Sequence, residues 1–459
     1  MGNQVVALPK VGTGAGTLRI LDAGGVVLDQ VTGRFFVERS GEWFVNASAT
    51  TSDGLTFGTG FRTIDDALAR AEYGQTIRVV EGTYSVTETR NALVTMKDGV
   101  ALVGGYDASG IYDPAAHSTV LNGFDGSGVG RLVDHVVIGA NGELRGFTVQ
   151  GGWTRDATGS GGGLLIIGDS MVVDACMFQR NEAFGGAGIG MLGGAELRIT
   201  NSEIRQNARG SGIFADGARL HSVATSFDRN DSGIVVNDED VVIEGGRFSN
   251  NGDRDIVVRR ADAYVSDVFL DEGETNFSDG SVKLERTVFF ESRGTPVEGS
   301  GGTDDVFELV NCVFANSGRG SNRATAINVS TANVQLIHTT LYATRASPTF
   351  RGSANYTVTT SIVWHSESNV PVFDDDSTGT VTYSIVHENI AGVGNVLAAP
   401  QFVNAGGGDL SLSSGSPAID AGDGSVGPNT DINGAARVDS GAAGGTGTAP
   451  YPDLGAYEF

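Results

Sequence analysis

Only two cysteines, Cys176 and Cys312, occur in 459 residues, so no disulfide framework staples this chain. Lysine is nearly absent: Lys10, Lys97 and Lys283 are the only three, and arginine supplies the remaining strong base. Acidic side chains outnumber Lys and Arg by 55 to 30, for a formal net charge of −25. That balance repels nucleic-acid phosphates and anionic membranes, leaving neutral glycans, cations or basic surfaces as the partners to expect. No apolar run is long enough to span a bilayer. Met1 to Leu8 lack the basic start and apolar run of a secretion signal, so a signal is expected outside this stretch if the protein is exported. Proline numbers 10, and glycine follows no third-residue period, which excludes a collagen-like chain.

What is abundant is glycine, 69 residues, beside an apolar fraction of 40%. Many tight turns between short strands, wrapped round a real core, fit that combination. The chain also repeats. From about residue 160 a glycine-led apolar run is followed by a short strand and an asparagine. Gly163 leads to Cys176, Phe178 and Asn181, and Gly188 leads to Ser202, Ile204 and Asn207. Aligned on the last large apolar residue, the series is Phe178, Ile204, Phe227, Phe248, Phe269, Phe289, Phe314, Leu341, Val363 and Val386, with gaps of 20 to 27 residues. Leu121 and Val149 extend it backwards. This is the period of a β-helix coil.

Alternation argues for strands. Two residues before each anchor stand Cys176, Ser202, Thr225, Gly246, Asp267, Thr287, Cys312, Thr339, Ser361 and Ser384. They share the inward side with the anchor, and all but Asp267 are small or β-branched. Three residues after the anchor, Asn181, Asn207, Asn230, Asn251 and finally Asn389 predict a stacked amide ladder at a turn that asparagine's tolerance of left-handed backbone would suit. The two cysteines lie six coils apart, roughly 29 Å at the strand spacing, so two buried free thiols are expected.

The ends read as caps. Trp43 to Asn46 predicts a strand, and Thr63 is placed to N-cap a helix with Ile64, Leu68 and Ala71 on its apolar stripe and Gly74 at its end. Residues 1–42 read as an extension of further strands, with turns at Gly24-Gly25 and Thr32-Gly33. The stretches Phe61-Arg-Thr-Ile-Asp-Asp-Ala-Leu, Ile77-Arg-Val-Val-Glu-Gly-Thr-Tyr and Val100-Ala-Leu-Val-Gly-Gly-Tyr resemble the opening of bacterial right-handed parallel β-helix proteins of the polymorphic outer-membrane-protein type. Ser416-Pro-Ala-Ile-Asp-Ala-Gly, Thr430-Asp-Ile-Asn-Gly-Ala-Ala-Arg and Asp453-Leu-Gly-Ala-Tyr-Glu are similar to the close of the choice-of-anchor Q group. The resemblance runs from about residue 43 to the end. It implies export and commonly an anchor beyond the motif, and it brings no catalytic residues with it.

The expected architecture is all-β: a right-handed parallel β-helix over 91–395, an N-terminal extension over 1–42, a cap with one short helix over 43–90, and a closing segment over 396–459. Candidate chemistry is sparse. Lys283, with Arg259 and Arg260 one coil earlier and Asp238, Glu239 and Asp240 two coils earlier, could form a lyase-like cluster, although charges on turns are usually just solvated. Asp374 and Asp376 are the candidate calcium ligands, against the plain reading of an acidic turn. His365 and His387 occupy near-equivalent points on adjacent coils, a faint zinc signal. In the tail, Arg437 stands among Asp420, Asp431, Asp439, Asp453 and Glu458, and is expected to tie the tail to the last coils, a calcium site being the alternative.

One outward column changes character along the chain. Gln179, Arg205, Asp228 and Ser249 give way to Leu270, Phe290, Ala315, Tyr342, Trp364 and His387. The residues just before the anchors turn apolar as well. A stripe of that kind is covered by a loop or the tail, meets a partner, or offers Phe290, Tyr342, Trp364 and His387 to a glycan. The functional expectation is a non-catalytic exported surface protein, adhesin-like or glycan-binding, at the outer cell surface or outside the cell. A carbohydrate-active enzyme on the same fold is the alternative, and a phage tailspike-like receptor-binding protein the second. Possible partners are a polysaccharide or another cell surface, with Ca2+ the one cofactor considered.

Overall fold

A computed structural model describes residues 16–21, 27–33, 41–156, 159–317, 325–343, 348–365, 370–441 and 445–459. Among them, three parallel sheets of 14, 13 and 11 strands wrap one core. Each coil contributes one strand to each sheet, and the chain winds as a right-handed parallel β-solenoid of about 12 turns. One such coil runs Glu196–Thr200, Glu203–Arg205, Ser211–Asp216. Gly16–Leu21 and Val27–Gly33 form a separate antiparallel pair. Thr32 and Gly33, expected in a turn, pair there with Thr17 and Gly16, so they belong to a strand; Gly24-Gly25 lies outside the described residues.

A left-handed residue sets the register at the first corner of each coil. Ala175, Asn201, Ala224, Asp267, Arg286, Asn311, His338, Thr360 and Tyr383 all have φ between 45° and 57° there, and Gly245 takes the same role at 71°. Three residues on comes the anchor. By this count the anchor after Asp267 is Leu270, not Phe269. Leu270 pairs with Phe248 and Phe289 and is fully buried. Phe269 points outward beneath the Arg247 guanidinium, 4.6 Å from its ring centre. The misfit of Asp267 in the inward column disappears, because Val268 occupies that place and Asp267 pairs with Arg286 at the surface. Elsewhere the anchors stack as expected: Phe227 on Phe248 and Phe289 on Phe314, each at 4.6 Å and nearly parallel.

The small inward residues form a ladder of their own. Thr339 N–H donates to Ser361 Oγ and Ser361 N–H to Ser384 Oγ, so a narrow corner stays hydrogen-bonded from coil to coil. Cys176 and Cys312 are free and buried in that column, and burial pushes both thiols up to about 12. The asparagine ladder is real for four coils. Asn181, Asn207 and Asn230 each donate Nδ2 to the preceding coil's anchor carbonyl, Val149, Phe178 and Ile204. Oδ1 of each next asparagine accepts the backbone N–H of the one before. The left-handed residues are their neighbours Arg180, Gln206, Arg229 and Asn250, so asparagine is selected here for its inward amide and not for its backbone. Asn389 is exposed and outside the ladder.

The ladder ends on an acid. Asn251 Nδ2 donates to Asp255 Oδ1 at 2.7 Å, while Asp255 Oδ2 is buried without a partner. Burial, helped by the charges of Glu274 and Asp271, lifts this carboxyl from 3.8 to about 7, against the pull of the Asn251 bond. A raised acid favours the folded state while protonated. Its contribution is present below its unfolded value and fades as pH rises through about 7. Denaturant unfolding should therefore show stability falling with pH by up to roughly 1.4 kcal/mol per unit between those limits. Asp255→Asn should flatten that slope, and a slope identical in both proteins would assign it elsewhere.

At the N-terminal end Glu42–Val45, the helix Ile64–Arg70 and Thr76–Val80 close the core. Thr63 Oγ1 caps the helix by accepting from Asp66 N–H. The helix ends earlier than Gly74, at an extended Ala71. Strand pairing into the sheets already begins at Glu42. The described residues of 396–459 leave the coil axis and turn back along the outside of the 13-stranded sheet, packing on its last strands.

Candidate functional site

The apolar stripe is where that returning tail lies. Leu410 and Ala456 pack on Val313 and Ala315, with Phe290, Tyr342 and Phe402 around them. Leu412, Ala418, Ala421 and Leu454 pack on Ile362 and Ile385, with Trp364 beside them. Tyr342 meets Phe402 edge-on at 5.7 Å. Gly408 sits so close to the Phe290 ring that a Cβ would come within 2.4 Å of it. His387 Nε2 faces the carbonyl of Val370. Of the open readings of the stripe, cover by the tail is the one the geometry realises. Phe290, Tyr342 and Trp364 are tail contacts in this arrangement, not a free platform.

Arg437 is what holds the tail. Its guanidinium pairs with Glu458 at 3.1 Å and donates to the carbonyls of Asp453 and Gly455 and to Asn311 Oδ1 on the coil. The other tail acids are occupied by backbone N–H groups. Asp431 accepts from Asn433, Ala435 and Glu458. Asp453 accepts from Asp420 and Phe459, and Asp420 from Ser440. Carboxylates used this way are turn-formers, so the conspicuous tail signature is a structural lock.

The lyase-like cluster does not assemble. Arg259 ends a strand of the 11-stranded sheet, Arg260 sits in the turn after it, and Lys283 lies on the 14-stranded sheet. Arg260 grips Asp238 with two bonds of 2.6 and 2.8 Å, and Arg259 donates to Asn237. One coil of sequence separation placed these residues on adjacent turns but not on one face.

The metal candidates form no ligand set: the His365 and His387 rings do meet, 4.8 Å between centres, but their Nε2 atoms face Thr349 and the Val370 carbonyl. Asp374 is half-buried and accepts from Ser377 at 2.6 Å, while Asp376 is exposed in the same turn rather than in a strand. His365 Nε2 bonds Thr349 Oγ1, and burial pushes that ring down to about 4. Among the described residues no group of three or more His, Cys, Asp or Glu is gathered to hold a metal ion.

A groove does form round Lys283. Val242, Tyr264, Lys283 and Glu308 stand in one register column on the outer face of the 14-stranded sheet. With Asp240, Asp262, Ser281 and Val306 they line a shallow groove of about 390 Å³. Lys283 Nζ lies 3.3 Å from Glu308 and 3.8 Å from Glu285. Tyr264 Oη donates to Glu285, which fixes the ring over the sheet. Asp240 and Asp262 each cap the next coil's backbone N–H, which steadies the acidic rim. Sequence reading singled out Lys283 but not Tyr264. The signal was there, since the two are 19 residues apart, one coil in this region, but it needed the register to be seen.

Comparisons with known proteins bear on the fold. A family model for the right-handed beta helix region matches residues 135–269. No curated protein matches the sequence. Among solved structures, pectate lyase Pel9A is 14% identical over 92% of this chain and 97% of its own, with a TM-score of 0.37. A family 28 exopolygalacturonase of Yersinia enterocolitica is 9% identical over 80% and 83%, with a TM-score of 0.29. A rhamnogalacturonan lyase is 11% identical over 78% and 85%, with a TM-score of 0.19. Nothing of their chemistry is carried over at such scores. The chain contains a right-handed β-helix region, and its fold is the right-handed parallel β-solenoid.

Proposed function

We propose that this chain is a non-catalytic polysaccharide-binding β-helix of an exported, cell-surface kind, and that the Tyr264–Lys283 groove is its binding surface. The observation that supports this most is the groove itself: an aromatic ring, a cation and three rim carboxylates on an open sheet face across four coils. Its balance of charge is acidic, which suits neutral or amino-bearing sugars. The lysine is shared between two carboxylates, so it is placed to orient a ligand and not to abstract a proton. Export rests on the terminal motifs that resemble surface β-helix proteins.

Retention on immobilised neutral polysaccharides tests this. Tyr264→Ala should weaken binding about tenfold, the equivalent of ~1.4 kcal/mol, with the thermal midpoint little changed. Binding that ignores Tyr264 would move the surface elsewhere. Release of unsaturated uronate products from polygalacturonate, assayed in parallel, would replace the binder with the lyase reading.

A further inference from the structure

In a chain of net charge −25, arginines are expected to sit against acids, and most do. One corner departs from that pattern. Where the 13-stranded sheet turns toward the 11-stranded one, Arg131, Arg155, Arg180 and Arg209 gather round Phe124, Trp153 and Phe184. Arg180 and Arg131 both lie over the Phe124 ring, at 4.7 and 5.6 Å. Arg155 lies over Trp153 at 5.3 Å, and Arg209 over Phe184 at 5.7 Å. Successive coils are in register here, with Trp153 bridged to Glu182 and Glu182 to Ala208, so the groups recur at coil spacing.

The charge is incompletely compensated. Glu182 serves two of the arginines, at 2.8 Å from Arg131 and 2.6 Å from Arg209. Among the described residues no acid pairs with Arg155 or Arg180, and both are exposed. Asp125 and Asp156 border the corner, and the first is spent on its own turn, accepting from Ser127 and Gly130. Phe184 is 47% exposed, and the Trp153 indole N–H is buried without an acceptor. Beside the corner runs a column of linked side chains, Asn122, Gln150, Gln179 and Arg205, on the outer face of the 13-stranded sheet.

We propose that this corner is a second binding site, selective for an anionic polysaccharide whose sugars carry carboxylates. Planar guanidiniums pair with carboxylates through two parallel N–H bonds. The exposed Phe184 ring, with the partly exposed Trp153, accepts the apolar face of a sugar ring, and amides alongside meet hydroxyls. The site lies on a different sheet from the Tyr264–Lys283 groove and has the opposite charge, so it stands independently of that reading.

Binding of polygalacturonate, dextran sulfate and neutral dextran to the full chain tests the site. Polygalacturonate should bind, with loss of at least tenfold in the Arg155→Ala/Arg180→Ala double variant and of several-fold in Phe184→Ala. Arg180→Lys should fall between. Tyr264→Ala should leave this binding unchanged, which separates the two surfaces. Thermal melts of each variant should match the parent, because these side chains are exposed. Absence of polygalacturonate binding, or binding untouched by the double variant, overturns the proposal. Dextran sulfate bound as well as polygalacturonate with no effect of Phe184→Ala would reduce the corner to plain ion exchange and overturn it too.

Discussion

Arg437→Ala should release the C-terminal segment from the coil while the solenoid persists. The guanidinium is almost completely buried, as is its partner, with side-chain exposures of 3% and 5%. Truncation leaves the Glu458 carboxylate buried beside Asp453 without its counter-charge, and leaves the carbonyls of Asp453 and Gly455 and the Asn311 amide oxygen short of a donor. Removing one member of a buried pair of this kind costs ~3–5 kcal/mol. The cost falls on the tail, because its other contacts to the coil are local: Gly455 N–H to Thr360, Ala456 N–H to Thr340 Oγ1, Asn311 Nδ2 to the Thr430 carbonyl, His338 Nε2 to the Val426 carbonyl, and two small apolar clusters. Limited proteolysis should cut the variant within 396–459 under conditions where the parent is intact. The uncovered Phe290, Tyr342 and Trp364 should then bind an apolar dye. Arg437→Lys should rescue only in part, since an ammonium cannot reach four acceptors with a fixed fork. A tail as protected in Arg437→Ala as in the parent would show that apolar packing alone holds it.

Asn207→Ala should unfold the middle of the solenoid at markedly lower denaturant. Asn207 is 1% exposed and serves four bonds. Its Oδ1 accepts from Asn181 N–H and Nδ2, and its Nδ2 donates to Phe178 O and Asn230 Oδ1. Alanine orphans buried donors and acceptors on both neighbouring coils, at about 1–3 kcal/mol for each group that water fails to reach. A total on the order of 3–5 kcal/mol follows, read as a drop in the chemical denaturation midpoint. Because each coil touches only its neighbours, the loss should also weaken cooperativity between the two halves. Asn389→Ala, at an exposed position outside the ladder, should cost almost nothing. Equal costs at the two positions would mean that the ladder contributes through turn backbone, not through its amides.

The register error at Phe269 shows what limits a reading of repeats. The sequence offers Phe269 and Leu270 side by side, and volume favours phenylalanine as the core residue. The count from the left-handed residue decides for leucine, and that residue has no common identity: Ala175, Asn201, Arg286, His338 and Tyr383 all fill it. Backbone conformation at the corner is fixed by the hydrogen bonds of the coils above and below, which no single repeat encodes. The Lys283 groove was half legible for the same reason. Period alone places Tyr264, Lys283 and Glu308 on consecutive coils, but only pairing shows them in one column and puts Arg259 on another sheet.

The sequence by itself determined the solenoid. A glycine-rich chain with a 20-to-27-residue apolar period, small residues two before each anchor and asparagines three after it can bury its core only by stacking coils. It also determined that the two cysteines stay apart and that Arg437 meets a tail carboxylate, Glu458, because one isolated base among five acids has few other ways to be buried. Tertiary structure decided what lies on the outside. Whether an apolar column is a platform or a seat for the tail, and whether arginines scattered over 79 positions converge on three rings, depends on which coil corners face one another. Outward side chains are not selected by the core period, so the sequence pattern that fixes the coil says nothing about them.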